Sequence, residues 1–173
     1  LSADHDRLAA TLNALHELTV ADLTAAGSDP VDLADLVELA GREQARHPRL
    51  RLEVVVPAEP VLVRGDREAL RLVIDNLLTN VERHARPSGD TAVRISLATD
   101  AQWCLLSVAD DGIGFPEVEA ERLLDRFARG ETSAPVSGLG LAIVAEQCRR
   151  HCGEFTFVRS ELGGAKVQLR LPA

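Results

Sequence analysis

Asp75-Asn76-Leu77-Leu78-Thr79-Asn80-Val81-Glu82-Arg83-His84-Ala85 is the stretch on which the reading of this chain turns. It follows Leu70, Leu72, Val73 and Ile74, so it forms the second half of an apolar helix. Asn80 follows Asn76 by four residues, and Arg83 and His84 follow Asn80 by three and four, so all share one side of it. Leu72, Val73, Leu77 and Val81 occupy the opposing arc and are expected to face a sheet. A polar stripe of this kind is ordinarily the solvated side of an amphipathic helix. Asparagine is a mediocre helix former, however, because its amide competes for backbone hydrogen bonds, and two of them in mid-helix need a reason. An amide oxygen suits a hard cation such as Mg²⁺, which keeps waters and takes one or two protein ligands beside phosphate oxygens. By itself the stripe leaves both readings open.

The surrounding chain of 173 residues, 46% hydrophobic and 27% charged, has the composition of one compact domain with a short appendage. A formal charge of −8 excludes a general nucleic-acid binder, which needs a basic face. No run of about 18 apolar residues is present to cross a membrane, and no signal-peptide pattern opens the chain. Cys104, Cys148 and Cys152 are an odd set, which points to a reducing cytosol and not to a disulfide framework. Cys148 and Cys152 stand at helical spacing, but without a second Cys or His pair they read as one buried and one half-buried thiol, not as a zinc site.

Along the chain, residues 4–25 read as a leucine-striped helix, broken at Gly27-Ser28-Asp29-Pro30. A helix is expected from Val31 to Arg46, strands at 50–56 and 61–63, and Asp66 as the N-cap of the helix that carries the opening stretch. Strands follow at 92–99 and 102–109, then a loop-rich segment over 110–137 with a short helix at 118–127. A helix over 139–151 and paired strands at 154–160 and 166–171 close the chain. Helices alternating with strands, with the last strands adjacent, predict an α/β sandwich: a mixed sheet covered on one face.

Two further constellations carry chemistry. Asp110-Asp111-Gly112-Ile113-Gly114-Phe115 directly follows a strand. A carboxylate there can accept from an exocyclic amine, and the glycines let backbone approach a flat ligand; an ordinary Asp-Gly turn fits equally well. Ser137-Gly138-Leu139-Gly140-Leu141 opens a helix whose unpaired N–H groups and dipole favour an anion. No Lys-Ser/Thr follows, so a P-loop is excluded.

In order and spacing, these segments together resemble the ATP-binding catalytic domain of sensor histidine kinases, in the superfamily that includes gyrase and MutL. Asn76 to Ala85 is similar to its N box, Asp110 to Gly114 to its G1 box, Leu124 to Arg129 to its F box and Gly138 to Leu141 to its G2 box. The resemblance implies the Bergerat ATP-binding fold over residues 29–173, with a mostly antiparallel sheet. It makes residues 1–28 the tail of a dimerisation hairpin and a linker.

It also implies roles. Asn80 would give its side-chain oxygen to Mg²⁺, Asn76 would line the phosphate site, and Arg83 and His84 would meet phosphates and ribose. Asp110 would accept from the adenine amine, with Gly112, Ile113 and Gly114 admitting the base. Gly138 and Gly140 would hold the β- and γ-phosphates, with Leu139 and Leu141 beside them in the nucleotide-binding set. Phe127 would join the site from a lid over 115–137, and Arg126 or Arg129 would reach the γ-phosphate. Two departures stand out: Val136 at the first G2 glycine and Leu124 at the first F-box aromatic.

Hydrolysing relatives place a glutamate four residues before the magnesium asparagine; Asn76 stands there and cannot act as a general base. That favours phosphoryl transfer, which depends on positioning and charge neutralisation. His16-Glu17-Leu18 begins like the family's acceptor box but continues Thr19-Val20-Ala21, so the target histidine is expected on a hairpin outside this chain. The expected parent is a dimeric, membrane-anchored sensor with this domain in the cytoplasm, relaying to an aspartate of a response regulator. An anti-sigma-factor-type serine kinase and a non-catalytic nucleotide sensor are the alternatives.

Overall fold

A computed structural model describes residues 29–114 and 139–173. The helix expected over 4–25, residues 1–28 as a unit, the helix over 118–127, the F box and Gly138 lie outside the described residues.

The chain enters through a short strand, β1 (Pro30–Asp32), which pairs antiparallel with β3 (Leu62–Arg64). The expected helix over 31–46 is therefore shorter: α1 spans Leu33–Arg42, followed by one 3₁₀ turn at Gln44–Arg46. Asp32 is the reason. Its Oδ1 caps Ala34 N at 2.9 Å and also accepts from Val61 N at 3.0 Å, so the residue before the helix is held extended beside β3.

β2 (Leu50–Val55), β4 (Thr91–Thr99), β5 (Trp103–Asp110), β6 (Glu154–Arg159) and β7 (Ala165–Pro172) form one sheet in the order β2-β4-β5-β7-β6. Among the described residues only the β2–β4 pair is parallel. Alternation puts Val93, Ile95 and Leu97, Cys104, Leu106 and Val108, and Val167, Leu169 and Leu171 on one buried face. α1, α2 (Arg67–His84) and α3 (Leu139–Arg150) supply the other half of the core, in the sandwich expected from the order of elements.

Asp66 caps α2 as expected, accepting from Ala69 N at 2.8 Å. The buried arc of α2 differs from expectation in one place. Leu70, Val73, Ile74, Leu77, Leu78 and Val81 are buried, whereas Leu72 is only half-buried. Residue 72 lies one turn before Asn76, so it belongs to the polar side, and the broader apolar arc serves α3 as well as the sheet.

α3 ends in a Schellman turn: Gly153 N donates to Cys148 O at 2.8 Å and Cys152 N to Arg149 O at 3.0 Å. Cys152 holds the left-handed position, φ 55°, and is exposed where a half-buried thiol was expected. Burial pushes the thiols of Cys104 and Cys148 up to about 11 and about 12, so both stay protonated and unreactive.

Candidate functional site

Four segments meet at one end of the sheet. β5 ends on Asp110, and the β5–β7 register, Ala109 opposite Lys166, brings the β6–β7 turn beside it. Asp110 is 4% exposed. Its Oδ1 accepts from Gly112 N at 2.8 Å and Ala165 N at 3.2 Å, so among the described residues Oδ2 is the oxygen left for a ligand's donor. Burial pushes its carboxyl above the usual carboxylate range, against the pull of those two N–H groups.

The turn after Asp110 rests on the end of α2. A Cβ on Gly112 would overlap the Ala85 carbonyl oxygen and lie 2.6 Å from the Ala85 Cβ. Ile113 N donates to Ala85 O at 2.8 Å, leaving the Ile113 side chain 76% exposed beside the turn. Gly114 takes φ +74°, a conformation that costs a β-carbon-bearing residue about 1–2 kcal/mol. The glycines of this segment are thus required by a close approach and a left-handed turn, which goes beyond an ordinary Asp-Gly turn.

α2 and α3 face each other through Asn76 and Gly140, where a Cβ on Gly140 would stand 3.0 Å from Asn76 Oδ1. Asn76 Nδ2 donates to Leu72 O at 2.9 Å, which fixes which end of the amide points at α3. Asn80 is half-buried one turn on, and among the described residues no hydrogen bond occupies its amide. Arg83 and His84 are exposed in the last turn. Leu141 is buried behind Gly140 and so supports the loop from the core. The structure therefore brings Asn76, Asn80, Asp110, Gly112, Ile113, Gly114 and Gly140 to one region.

Among the described residues no group of three His, Cys, Asp or Glu is placed to cage a metal. A single amide oxygen fits an ion such as Mg²⁺ that is carried mainly by phosphates and water.

Two features escaped the sequence reading. Gly164 lies under the site: a Cβ there would overlap Asp110 Oδ1 and stand 2.5 Å from Gly112 N, and its own N–H donates to Asp110 O at 3.0 Å. Gly163, at φ +108° with open space around it, already serves the turn, so the second glycine was the signal. Arg86, beyond the apparent end of the motif, pairs with Asp111 at 2.9 Å. That contact has no signature in spacing.

The sequence profile of the histidine kinase-, DNA gyrase B- and HSP90-like ATPases matches residues 65–173. The chain belongs to this ATPase family. Within it, the chain is 37% identical over 169 residues to the sensor-type histidine kinase PrrB of Mycobacterium tuberculosis, covering 96% of this chain and 37% of that protein. It is 32% identical over 181 residues to the signal transduction histidine-protein kinase BaeS of Escherichia coli, covering 99% of this chain and 38% of that one. The chain thus spans less than two-fifths of the length of these relatives. The crystal structure of the ATP-binding domain of PrrB from Mycobacterium tuberculosis superimposes with a TM-score of 0.69 at 32% identity, covering 87% of this chain and 98% of that one. The four segments at the end of the sheet all lie within the residues that match this family.

Proposed function

We propose that this domain binds Mg-ATP between α2, α3 and the Asp110–Gly114 turn and presents the γ-phosphoryl group to a histidine on a dimerisation hairpin of its parent protein. The observation that carries the reading is the Asp110 carboxylate, buried at the end of β5 and oriented by Gly112 N and Ala165 N. Such an acceptor matches the exocyclic amine of adenine; guanine offers a carbonyl there, which would leave a buried carboxylate unpaired.

Asn80 would hold Mg²⁺ through its amide oxygen, and the bound ion would offset charge on the phosphates. Arg83 and His84 sit where α2 ends, within reach of phosphate or ribose, while Asn76 and Gly140 leave backbone close to the triphosphate. From the lid, Arg126 or Arg129 would meet the γ-phosphate, with Phe127 beside it and Gly138 and Leu139 continuing the phosphate loop. Asn76 supplies no general base, so water is not activated and the phosphoryl group is kept for an imidazole. The bond from the γ-phosphorus to the β–γ bridging oxygen breaks, a bond to the histidine nitrogen forms, and ADP leaves. A response-regulator aspartate would then take the group; the relatives are named as a sensor-type histidine kinase and a signal transduction histidine-protein kinase. Among the described residues no helix is long and apolar enough to cross a membrane. We place the domain on the cytoplasmic side of a membrane-anchored homodimer.

Calorimetric titration with Mg-ATP and Mg-GTP tests this. ATP-selective binding that disappears in Asp110→Asn, with the magnesium dependence removed in Asn80→Ala, is the expected result. A separately made acceptor hairpin should then become labelled from γ-labelled ATP. Binding of neither nucleotide to the unmodified chain would remove the functional claim.

A further inference from the structure

We propose that Arg86 and Asp111 form a positioning pair that holds the base-recognising turn against the end of α2, so that Asp110 is aimed in the same frame as Arg83 and His84. The inference rests on the nucleotide reading of the site and adds two residues that touch no substrate.

The clamp is built from both side chain and main chain. Arg86 Nη2 lies 2.9 Å from Asp111 Oδ2 and donates to the Asp111 carbonyl oxygen at 2.8 Å, while its Nε donates to Oδ1 at 3.3 Å. Asp111 is tied to β4 as well: Oδ1 accepts from Ala92 N at 2.9 Å, and Asp111 N donates to Ala92 O at 3.1 Å. Arg49 holds the next tier, its Nη2 donating to Arg86 O at 3.1 Å. With the Ile113–Ala85 bond, the turn is fastened on both sides of Gly112, at the two residues that follow His84.

A half-exposed ion pair of the usual surface kind contributes little. This one differs because a planar fork takes the carboxylate and the carbonyl of one residue together, which an ammonium does not reproduce. Gly112 sits directly on Ala85, so a small slip of Asp111 moves the neighbouring Asp110.

The two charges also act on Asp110 in opposite senses. After burial and the two N–H groups, Asp111 pushes the Asp110 carboxyl up and Arg86 pulls it down. On the hairpin packed against it, Lys166 pairs with Glu161 at 3.2 Å and points to the other face of β7.

The test is titration of the whole chain with Mg-ATP, Mg-GTP and Mg-tripolyphosphate across pH, with melting temperatures alongside. The variants are Arg86→Gln, Arg86→Lys, Asp111→Asn and, as a control for loss of an ion pair elsewhere, Arg94→Gln. In Arg86→Gln, ATP affinity should fall about tenfold, equivalent to about 1.4 kcal/mol, with tripolyphosphate little changed, so the ATP-over-GTP preference narrows. Arg86→Lys should recover only part. The acid limb of ATP binding should move to higher pH in Arg86→Gln and to lower pH in Asp111→Asn. Asp111→Asn keeps an acceptor for Ala92 N, so it carries the test if Arg86→Gln does not fold. Equal losses for ATP and tripolyphosphate, or acid limbs that move together, overturn the proposal. An ATP preference kept intact in Arg86→Gln overturns it alone; no ATP preference in the unmodified chain overturns the nucleotide reading with it.

Discussion

Asn76 Oδ1 stands 3.0 Å from the place a Cβ on Gly140 would take, and its Nδ2 is held by Leu72 O at 2.9 Å. One side chain of α2 is therefore fastened to its own helix and pressed against the first turn of α3. Alanine at position 140 should bring up to about 1 kcal/mol of helix propensity, and crowding against Asn76 should take most of it back. Gly140→Ala is thus expected to be near neutral in the parent sequence but stabilising by about 0.5–1 kcal/mol in an Asn76→Ala background. Urea unfolding of the four chains measures the coupling. Additive effects would mean that the two residues do not meet. ATP binding should be lost in both chains that carry Gly140→Ala, because the methyl occupies the close backbone approach.

Asp110→Asn separates binding from stability. Burial raises the Asp110 carboxyl in the folded chain above its unfolded value. Its contribution to stability is then fully present below the unfolded carboxylate range, about 3.9, and lost as pH rises through the higher folded value. At pH 7 the buried charge is a cost, so Asp110→Asn should unfold at equal or higher denaturant than the parent, with the gap closing toward pH 4. Asparagine keeps an oxygen for Gly112 N and Ala165 N but turns a donor toward the ligand. A variant much less stable at pH 7 would contradict this sign.

The two adjacent glycines of the last hairpin should respond differently. Gly164→Ala forces a methyl into the Asp110 carboxylate and the Gly112 amide and should cost about 2–3 kcal/mol. Gly163→Ala meets open space, and only its φ of +108° opposes it, for about 1 kcal/mol. Thermal unfolding of both variants, with ATP titration, checks the order. Equal losses would mean that the carboxylate has room beneath it.

Cys152 occupies the left-handed cap of α3 without being glycine. Cys152→Gly should therefore stabilise the fold by about 1 kcal/mol and leave nucleotide binding unchanged. A lower melting temperature would show that the side chain makes a contact worth more than the strain.

Periodicity and order of motifs carried most of the architecture. The 3.6-residue stripe of α2, the alternation of β4, β5 and β7, and the Asp66 cap were all local, so they stood in the sequence. The family boxes likewise named Asn76, Asn80, Asp110 and the glycines that the fold brings together. Where reading failed, a distant residue decided. Val31 leaves the first helix because Val63 pairs with it, and Leu72 leaves the buried arc because its turn faces the site.

The sequence by itself determined the family, through the order of its boxes, and the helical side of the two asparagines and the strand end that bears the carboxylate, through periods of a few residues. Only the tertiary structure decided that Gly164 lies beneath Asp110 and that Arg86 holds Asp111. Those contacts join segments about 25 to 55 residues apart, and their distances depend on strand register and helix packing. No local pattern encodes those distances, although the second glycine of the 163–164 pair hinted at a close approach.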